Sequence, residues 1–206
     1  MNKSLLLEAG GVSRETEERL QLYANLLIKW NPKINLVSGN TIDQMWERHF
    51  QDSAQILALA PDVATSWVDL GTGGGFPGLV VSILATEKRP ALNVTCIESD
   101  QRKAAFLRTV VRETGIAVTI VCERIENTNI AKADVLSARA LAPLDKLLAY
   151  AERHLKQGGT ALFPKGAGYR QELDNSLESW RFQVDTVPSL THPDAVILKL
   201  GDIERA

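Results

Sequence analysis

Long apolar runs are missing from these 206 residues: the longest, Gly78 to Ala85, is broken by Ser82. That falls far short of the roughly 20 residues a membrane-spanning helix needs. Cysteine is nearly absent. Cys96 and Cys122 sit in apolar, strand-like sequence without metal-ligand spacing, which predicts small buried hydrophobes in a reducing compartment and no metal site. The first residues, Met1-Asn2-Lys3-Ser4, carry neither the apolar stretch nor the cleavage site of an export signal, so the expected location is cytoplasmic. Internal repeats, low-complexity linkers and a heptad seam are lacking too, and no obligate protein partner is expected. Excess charge is also absent, since the net value is −2.

What charge there is lies unevenly. Residues 1–65 hold 6 basic and 8 acidic side chains, residues 66–165 hold 13 and 10, and residues 166–206 hold 4 and 7. The middle stretch is therefore the basic one. Screening acts over about 10 Å at 0.1 M salt, so a local basic patch can attract phosphate beside an acidic remainder.

The hydrophobic period divides the chain near Pro61. Before it the pattern is helical: Ser13 suits an N-cap, acidic Glu15, Glu17 and Glu18 suit the first turn, and Leu20, Tyr23, Leu27 and Trp30 form one stripe. Asn31-Pro32 predicts a stop, and Thr41 a cap for a second helix carrying Met45, Trp46 and Phe50 and ending near Pro61. After Pro61 strands alternate with helices. Strands are predicted at 67–70, 93–97, 118–121, 133–138, 160–163, 182–187 and 195–200, with a turn at Gly158-Gly159 and a helix near 171–179. Asp100 caps a helix that Gly115 ends, and Pro143 opens another. The expected fold is α/β: a doubly wound, Rossmann-like, mostly parallel sheet of seven strands over 62–206, with a helical N-terminal extension over 1–61.

Between the first of these strands and the next helix stands Val68-Asp69-Leu70-Gly71-Thr72-Gly73-Gly74-Gly75-Phe76-Pro77-Gly78. Residues without a Cβ let a ligand approach the backbone beyond the carboxyl end of a strand. The Gly71, Gly73, Gly75 spacing suits S-adenosylmethionine, while Gly73, Gly75 and Gly78 also satisfy the dinucleotide fingerprint. The loop alone leaves both cofactors open. Glu98, ending the second strand, is placed to accept from the two hydroxyls of an adenosine ribose, which serves either cofactor. After the third strand, Ile125 and Glu126 suit an adenine's flank and edge, or a merely solvated turn. Arg139, after the fourth strand, points at the mouth of the site and requires an anionic or polar partner: a ligand carboxylate, an RNA phosphate or a protein carboxylate.

Five segments in order resemble the glucose-inhibited division protein B family over nearly the whole chain. They are Trp30-Asn31-Pro32-Lys33-Ile34-Asn35-Leu36, Arg48-His49-Phe50-Gln51-Asp52-Ser53, the glycine loop, Ser137 to Ala140, and Pro164-Lys165-Gly166. The resemblance implies a methyltransferase that modifies N7 of one guanine in 16S ribosomal RNA, using S-adenosylmethionine. It implies cofactor contacts at Gly71, Gly73, Phe76, Glu98, Ile125, Glu126 and Arg139; Glu98 stands where aspartate is usual, and Gly74 where proline or alanine is common, which predicts a looser loop. The implied partner is 16S ribosomal RNA or an immature small ribosomal subunit. Guanine N7 carries a free lone pair and needs no general base, so no catalytic residue is assigned. Arg139 and Lys165 are the positioning candidates for guanine O6 or phosphate. His49, Asp52 and Lys165 are the substrate-binding candidates, with His49 and Asp52 alternatively a pair that locks helix to sheet. Arg102, Lys103, Arg108 and Arg112 read as a solvated helix face, and the four tryptophans as packing residues. A nucleotide-dependent oxidoreductase and a non-catalytic RNA-binding assembly factor are the competing classes.

Overall fold

The computed structural model describes residues 11–206. The Met1–Ser4 segment considered above for export lies outside them. Ser13 caps α1 (Arg14–Ile34), its Oγ accepting from Thr16 N–H at 3.3 Å. Leu20, Tyr23, Ala24 and Leu27 form its buried stripe. The helix outlasts the stop predicted at Asn31-Pro32. Pro32 falls in the last turn, where a missing N–H costs a single bond. Asn35 then closes the helix in the left-handed conformation (φ 50°), donating to the Asn31 carbonyl at 3.0 Å. Asn31 Oδ1 accepts from Val37 N–H at 2.9 Å and turns the chain back.

The second predicted helix is three short pieces: a 3-10 turn (Gly39–Gln44), a π-helical turn (Trp46–Gln51) and α2 (Asp52–Leu57). Thr41 caps none of them; its hydroxyl donates to the Ser38 carbonyl at 2.7 Å and meets His49 Nε2 at 2.8 Å. The adjacent residues His49 and Phe50 are both buried on this π turn.

From Ser66 onward the elements alternate: β1 (Ser66–Leu70), α3 (Gly78–Lys88), β2 (Asn93–Ile97), α4 (Gln101–Thr114), β3 (Val118–Val121), β4 (Ala133–Ala138), α5 (Leu144–His154), β5 (Leu155–Lys165), α6 (Tyr169–Ser176), β6 (Trp180–Pro188) and β7 (Val196–Arg205). They make one sheet in the order β3-β2-β1-β4-β5-β7-β6. The first five of these run parallel, and β7 is antiparallel to both β5 and β6. The seven-stranded, mostly parallel expectation holds. The predicted Gly158-Gly159 turn is an irregularity inside β5, which starts pairing at Leu155 with a register shift. The chain winds outward through β1, β2 and β3, then crosses to β4 on the other side of β1. That crossing is the switch point at which open α/β sheets bind ligands.

Strand residues alternate between two cores. Trp67, Val94, Cys96, Val135 and Leu162 face α1, α3 and α4, while Val68, Ile97, Leu136, Ala161 and Phe163 face α5. The extension belongs to the first core outright. Tyr23, Trp30 and Phe50 contact the rings of Phe76 and Phe106 at centroid distances of 5.3–6.3 Å across this cluster. Trp67 and Trp180 are buried, and Trp30 and Trp46 pack partly covered, as expected for packing residues.

Gly115 ends α4 at φ 66°, and a Cβ there would meet nothing within 4 Å. Gly115→Ala should therefore cost about 1 kcal/mol, all of it conformational. Urea unfolding measures it, and an unchanged midpoint would contradict the assignment.

Candidate active site

Asp69 sits near the end of β1, wholly buried, with Cys96 of β2 on one side of it and Ser137 of β4 on the other. A carboxylate inside a parallel sheet needs donors, and three converge on it. Ser137 Oγ donates to Oδ1 at 2.6 Å, while Gly78 N–H at 3.0 Å and the Thr72 hydroxyl both donate to Oδ2. Trp67 Nε1 donates to Ser137 Oγ at 2.8 Å and so orients that hydroxyl. Burial pushes the Asp69 carboxyl up to about 6, and the donors hold it from rising further.

Around this anchor the glycine loop turns back on itself. Gly71 has φ 60°, and a Cβ there would lie 2.4 Å from Leu141 Cδ1, so the backbone is bare and closely covered at that point. Gly75 (φ 97°) faces inward instead: its Cβ would meet the Tyr23 hydroxyl at 2.4 Å. That hydroxyl donates to the Gly74 carbonyl. The loop is not loose at Gly74, where a Cβ would press on the Leu36 carbonyl at 3.1 Å. Phe76 stacks on Tyr23 at 5.3 Å and is buried.

Glu98 closes the turn from the next strand. Its Oε2 accepts from Gly73 N–H at 2.9 Å and its Oε1 from Asp100 N–H at 2.8 Å. Each oxygen keeps a further lone pair. Asp100 caps α4 through Arg102 and Lys103 N–H. Ile125 is buried in the second core. Glu126 turns toward α5, where Tyr150 donates to it at 2.6 Å and Lys146 lies at 3.6 Å. Among the described residues, no hydrogen bond or ion pair joins Ile125 or Glu126 to the glycine loop.

Arg139, just past β4, is met by the extension. It donates to Asp52 Oδ2 at 3.2 Å and the Arg48 carbonyl at 3.0 Å, approaches His49 Nδ1 at 3.1 Å, and lies over the Phe76 ring at 5.1 Å. The protein carboxylate is thus its partner here. Because a guanidinium only donates, His49 Nδ1 is the acceptor and Nε2 carries the proton toward Thr41 Oγ1. Burial, with Arg139 and Arg48 beside it, lowers His49 to about 3, so the ring is neutral. His49 and Asp52 meet through Arg139 rather than each other, and they fasten the extension to the end of β4. The tie from helix to sheet is present, made through Arg139 and not by the direct hydrogen-bonded pair expected of His49 and Asp52.

Lys165 is held as firmly. Its side chain is 8% exposed, and it donates to Glu172 Oε2 at 2.7 Å and the Ala142 carbonyl at 3.0 Å. Glu172 Oε2 also accepts from Leu144 N–H at 2.7 Å, serving α5 as a cap from outside the helix. Arg48, Asp52, Arg139, Lys165, Thr191 and His192 line one cleft of about 930 Å³ beside the glycine loop, at the carboxyl end of the sheet. Lys103 and Arg108 reach no partner among the described residues, as a solvated helix face should. Tyr23, Asp69 and Ser137 went unassigned in the sequence. Only Asp69 left a signal there: an acid inside the apolar run of a buried strand.

A model of the family described as rRNA small subunit methyltransferase G matches residues 16–197. The chain belongs to that family. Relatives named ribosomal RNA small subunit methyltransferase G include one from Ruegeria sp. (strain TM1040), 54% identical over 94% of each chain. Another, from Paramagnetospirillum magneticum, is 48% identical over 100% of this chain and 98% of its own. Among solved structures, the O-methyltransferase TomG from Streptomyces achromogenes in complex with SAM is similar (TM-score 0.58, 15% identity, 89% of each chain). The O-methyltransferase from Bacillus cereus in complex with SAH is as well (TM-score 0.55, 14% identity, 93% of this chain and 92% of that one). These last likenesses concern the fold alone.

The folded chain holds the Asp69 proton more tightly than the unfolded chain, whose aspartates titrate near 4. The stability this group contributes is therefore present at low pH and lost as pH rises from about 4 to about 6. Asp69→Asn removes that dependence. Its stability relative to the parent should improve by about 2–3 kcal/mol between pH 4 and pH 7 in chemical denaturation; a difference flat in pH would contradict the burial argument.

Proposed function

We propose that this protein transfers a methyl group from S-adenosylmethionine to N7 of a guanine in 16S ribosomal RNA. The observation that carries the reading is the bare turn at Gly71 and Gly73, opening beside a cleft walled by Arg48, Arg139 and Lys165. Membership of the rRNA small subunit methyltransferase G family supports both donor and acceptor. The backbone left bare at Gly73, with the Glu98 carboxylate accepting from its N–H and keeping lone pairs free, fits the donor. When bound, S-adenosylmethionine supplies an electrophilic methyl on a sulfonium centre.

The residues then divide by task. Gly71, Gly73 and Phe76 shape the donor seat, and Glu98 accepts from ribose hydroxyls with its remaining lone pairs. Ile125 and Glu126 serve the adenine, the latter through release from Tyr150. Arg139 and Lys165 position the guanine or its phosphate, and Asp52 and His49 set where the arginine stands. Residues 62–206 form the donor-binding domain, and residues 1–61 the extension that completes its cleft.

N7 accepts a methyl with its own lone pair, so no proton has to leave the base. The cleft agrees with such chemistry. Of the acids and histidines that line it, Asp52 and Glu172 are each paired with a cation, and His192 Nδ1 accepts from Asp194 N–H at 3.2 Å. Rate enhancement then comes from in-line placement, which can contribute roughly 7–11 kcal/mol in favourable cases. N7 lies in the deep groove of A-form RNA, beyond the reach of side chains. The substrate is therefore free or partly assembled RNA, and the work is cytoplasmic. Among the described residues no helix is long and apolar enough to cross a membrane.

Mapping N7-methylguanosine in 16S RNA from cells with and without the protein tests the acceptor: one mark should vanish. Calorimetry tests the donor, with S-adenosylmethionine binding and NADH not. Gly71→Asp, which drives a side chain into Leu141 and against the cradle, should lower transfer by about a hundredfold or more. Full transfer by that variant would remove the glycine turn from the account.

A further inference from the structure

Between β6 and β7 a short loop carries a leucine into water at its tip: Leu190 is 75% exposed. Single exposed leucines are ordinary. The mounting of this one is not. Pro188 and Pro193 restrict the backbone on either side. Ser189 N–H donates to the Ala195 carbonyl at 3.0 Å, and Ala195 N–H to the His192 carbonyl at 3.1 Å, closing the loop at its base. Leu190 N–H itself donates to Gln55 Oε1 at 2.9 Å, and Thr191 Oγ1 donates to Asp52 Oδ1 at 3.1 Å. Gln55 and Asp52 both belong to α2, and Asp52 is the residue that holds Arg139. The apolar tip is thus fixed to the same carboxylate as the arginine of the cleft. Ser189, Thr191 and His192 line that cleft while Leu190 stands at its rim.

We propose that Leu190 is a wedge for RNA, entering the base stack of the substrate where the target guanine leaves it. The proposal rests on the ribosomal RNA reading above. A nitrogen that must meet a sulfonium in line cannot do so from within an A-form stack, so the nucleotide has to turn out. An apolar side chain inserted in its place covers the base faces left bare. Such a wedge works only if it is already in position, since a mobile loop would lose ordering entropy on every encounter. Two prolines and the anchors on α2 provide that order. The small polar residues on either side, Ser189 and Thr191, leave room for a strand to pass over the rim.

Single-turnover methyl transfer to protein-free 16S RNA separates the outcomes. Leu190→Ala should transfer about tenfold more slowly at saturating RNA, with unchanged donor affinity and melting temperature, and Leu190→Phe should stay within about twofold of the parent. Val63→Ala removes a side chain that is 88% exposed in the loop before β1, at the opposite end of the sheet, and should change nothing. A 2-aminopurine placed beside the target guanine should brighten when the parent binds and much less with Leu190→Ala. Parental rate and fluorescence in Leu190→Ala would overturn the wedge while leaving the methyltransferase intact. A parent protein that moves no methyl to this RNA would overturn both.

Discussion

Asp69 is enclosed between β2 and β4, and its two oxygens take bonds from the hydroxyl of Ser137, the hydroxyl of Thr72 and the N–H of Gly78. Those three donors come from the neighbouring strand, the middle of the glycine turn and the first residue of α3. One carboxylate thereby fixes how the chain leaves β1, how it bends and where it re-enters a helix. A charge in such surroundings is costly unless every lone pair is used. The energetic demand of Asp69 and the shape of the glycine turn are the same fact.

The extension completes what that anchor begins. Tyr23 holds the Gly74 carbonyl from below, Leu36 covers the turn, and Asp52 draws Arg139 across the Phe76 ring toward α2. A neutral His49, protonated on Nε2, fits between Thr41 and the guanidinium. Except for Thr41 and His49, eight residues apart, none of these contacts is local in sequence. Together they tie the mouth of the cleft to helices formed before the sheet begins.

Much of this could be read in the residues themselves. Alternating strand and helix periods, Asp100 and Gly115 as caps, and the run of glycines after Leu70 are local signals, and the seven-stranded sheet followed from them. Failures came where tertiary packing overrode a local rule. Pro32 reads as a stop, yet in the last turn of α1 it loses one bond and the helix continues. Thr41 reads as a cap, yet its hydroxyl is taken by the Ser38 carbonyl and His49, and the segment breaks into 3-10, π and α pieces. The pairings of Arg139 and Lys165 were beyond reach for a simpler reason: Asp52 stands out in the sequence but lies 87 residues before Arg139 with nothing local to join the two, and Glu172 carries no mark at all.

The core shared by α1, α3 and α4 has an evolutionary corollary. Stripped of everything before residue 62, the remaining domain would lose Tyr23, Trp30 and Phe50 from the rings of Phe76 and Phe106, opening its apolar interior to water. The helical extension of this molecule is therefore no detachable module that could be exchanged for another by recombination. A lineage seeking a new acceptor would have to remodel it residue by residue, with the interior intact at every step.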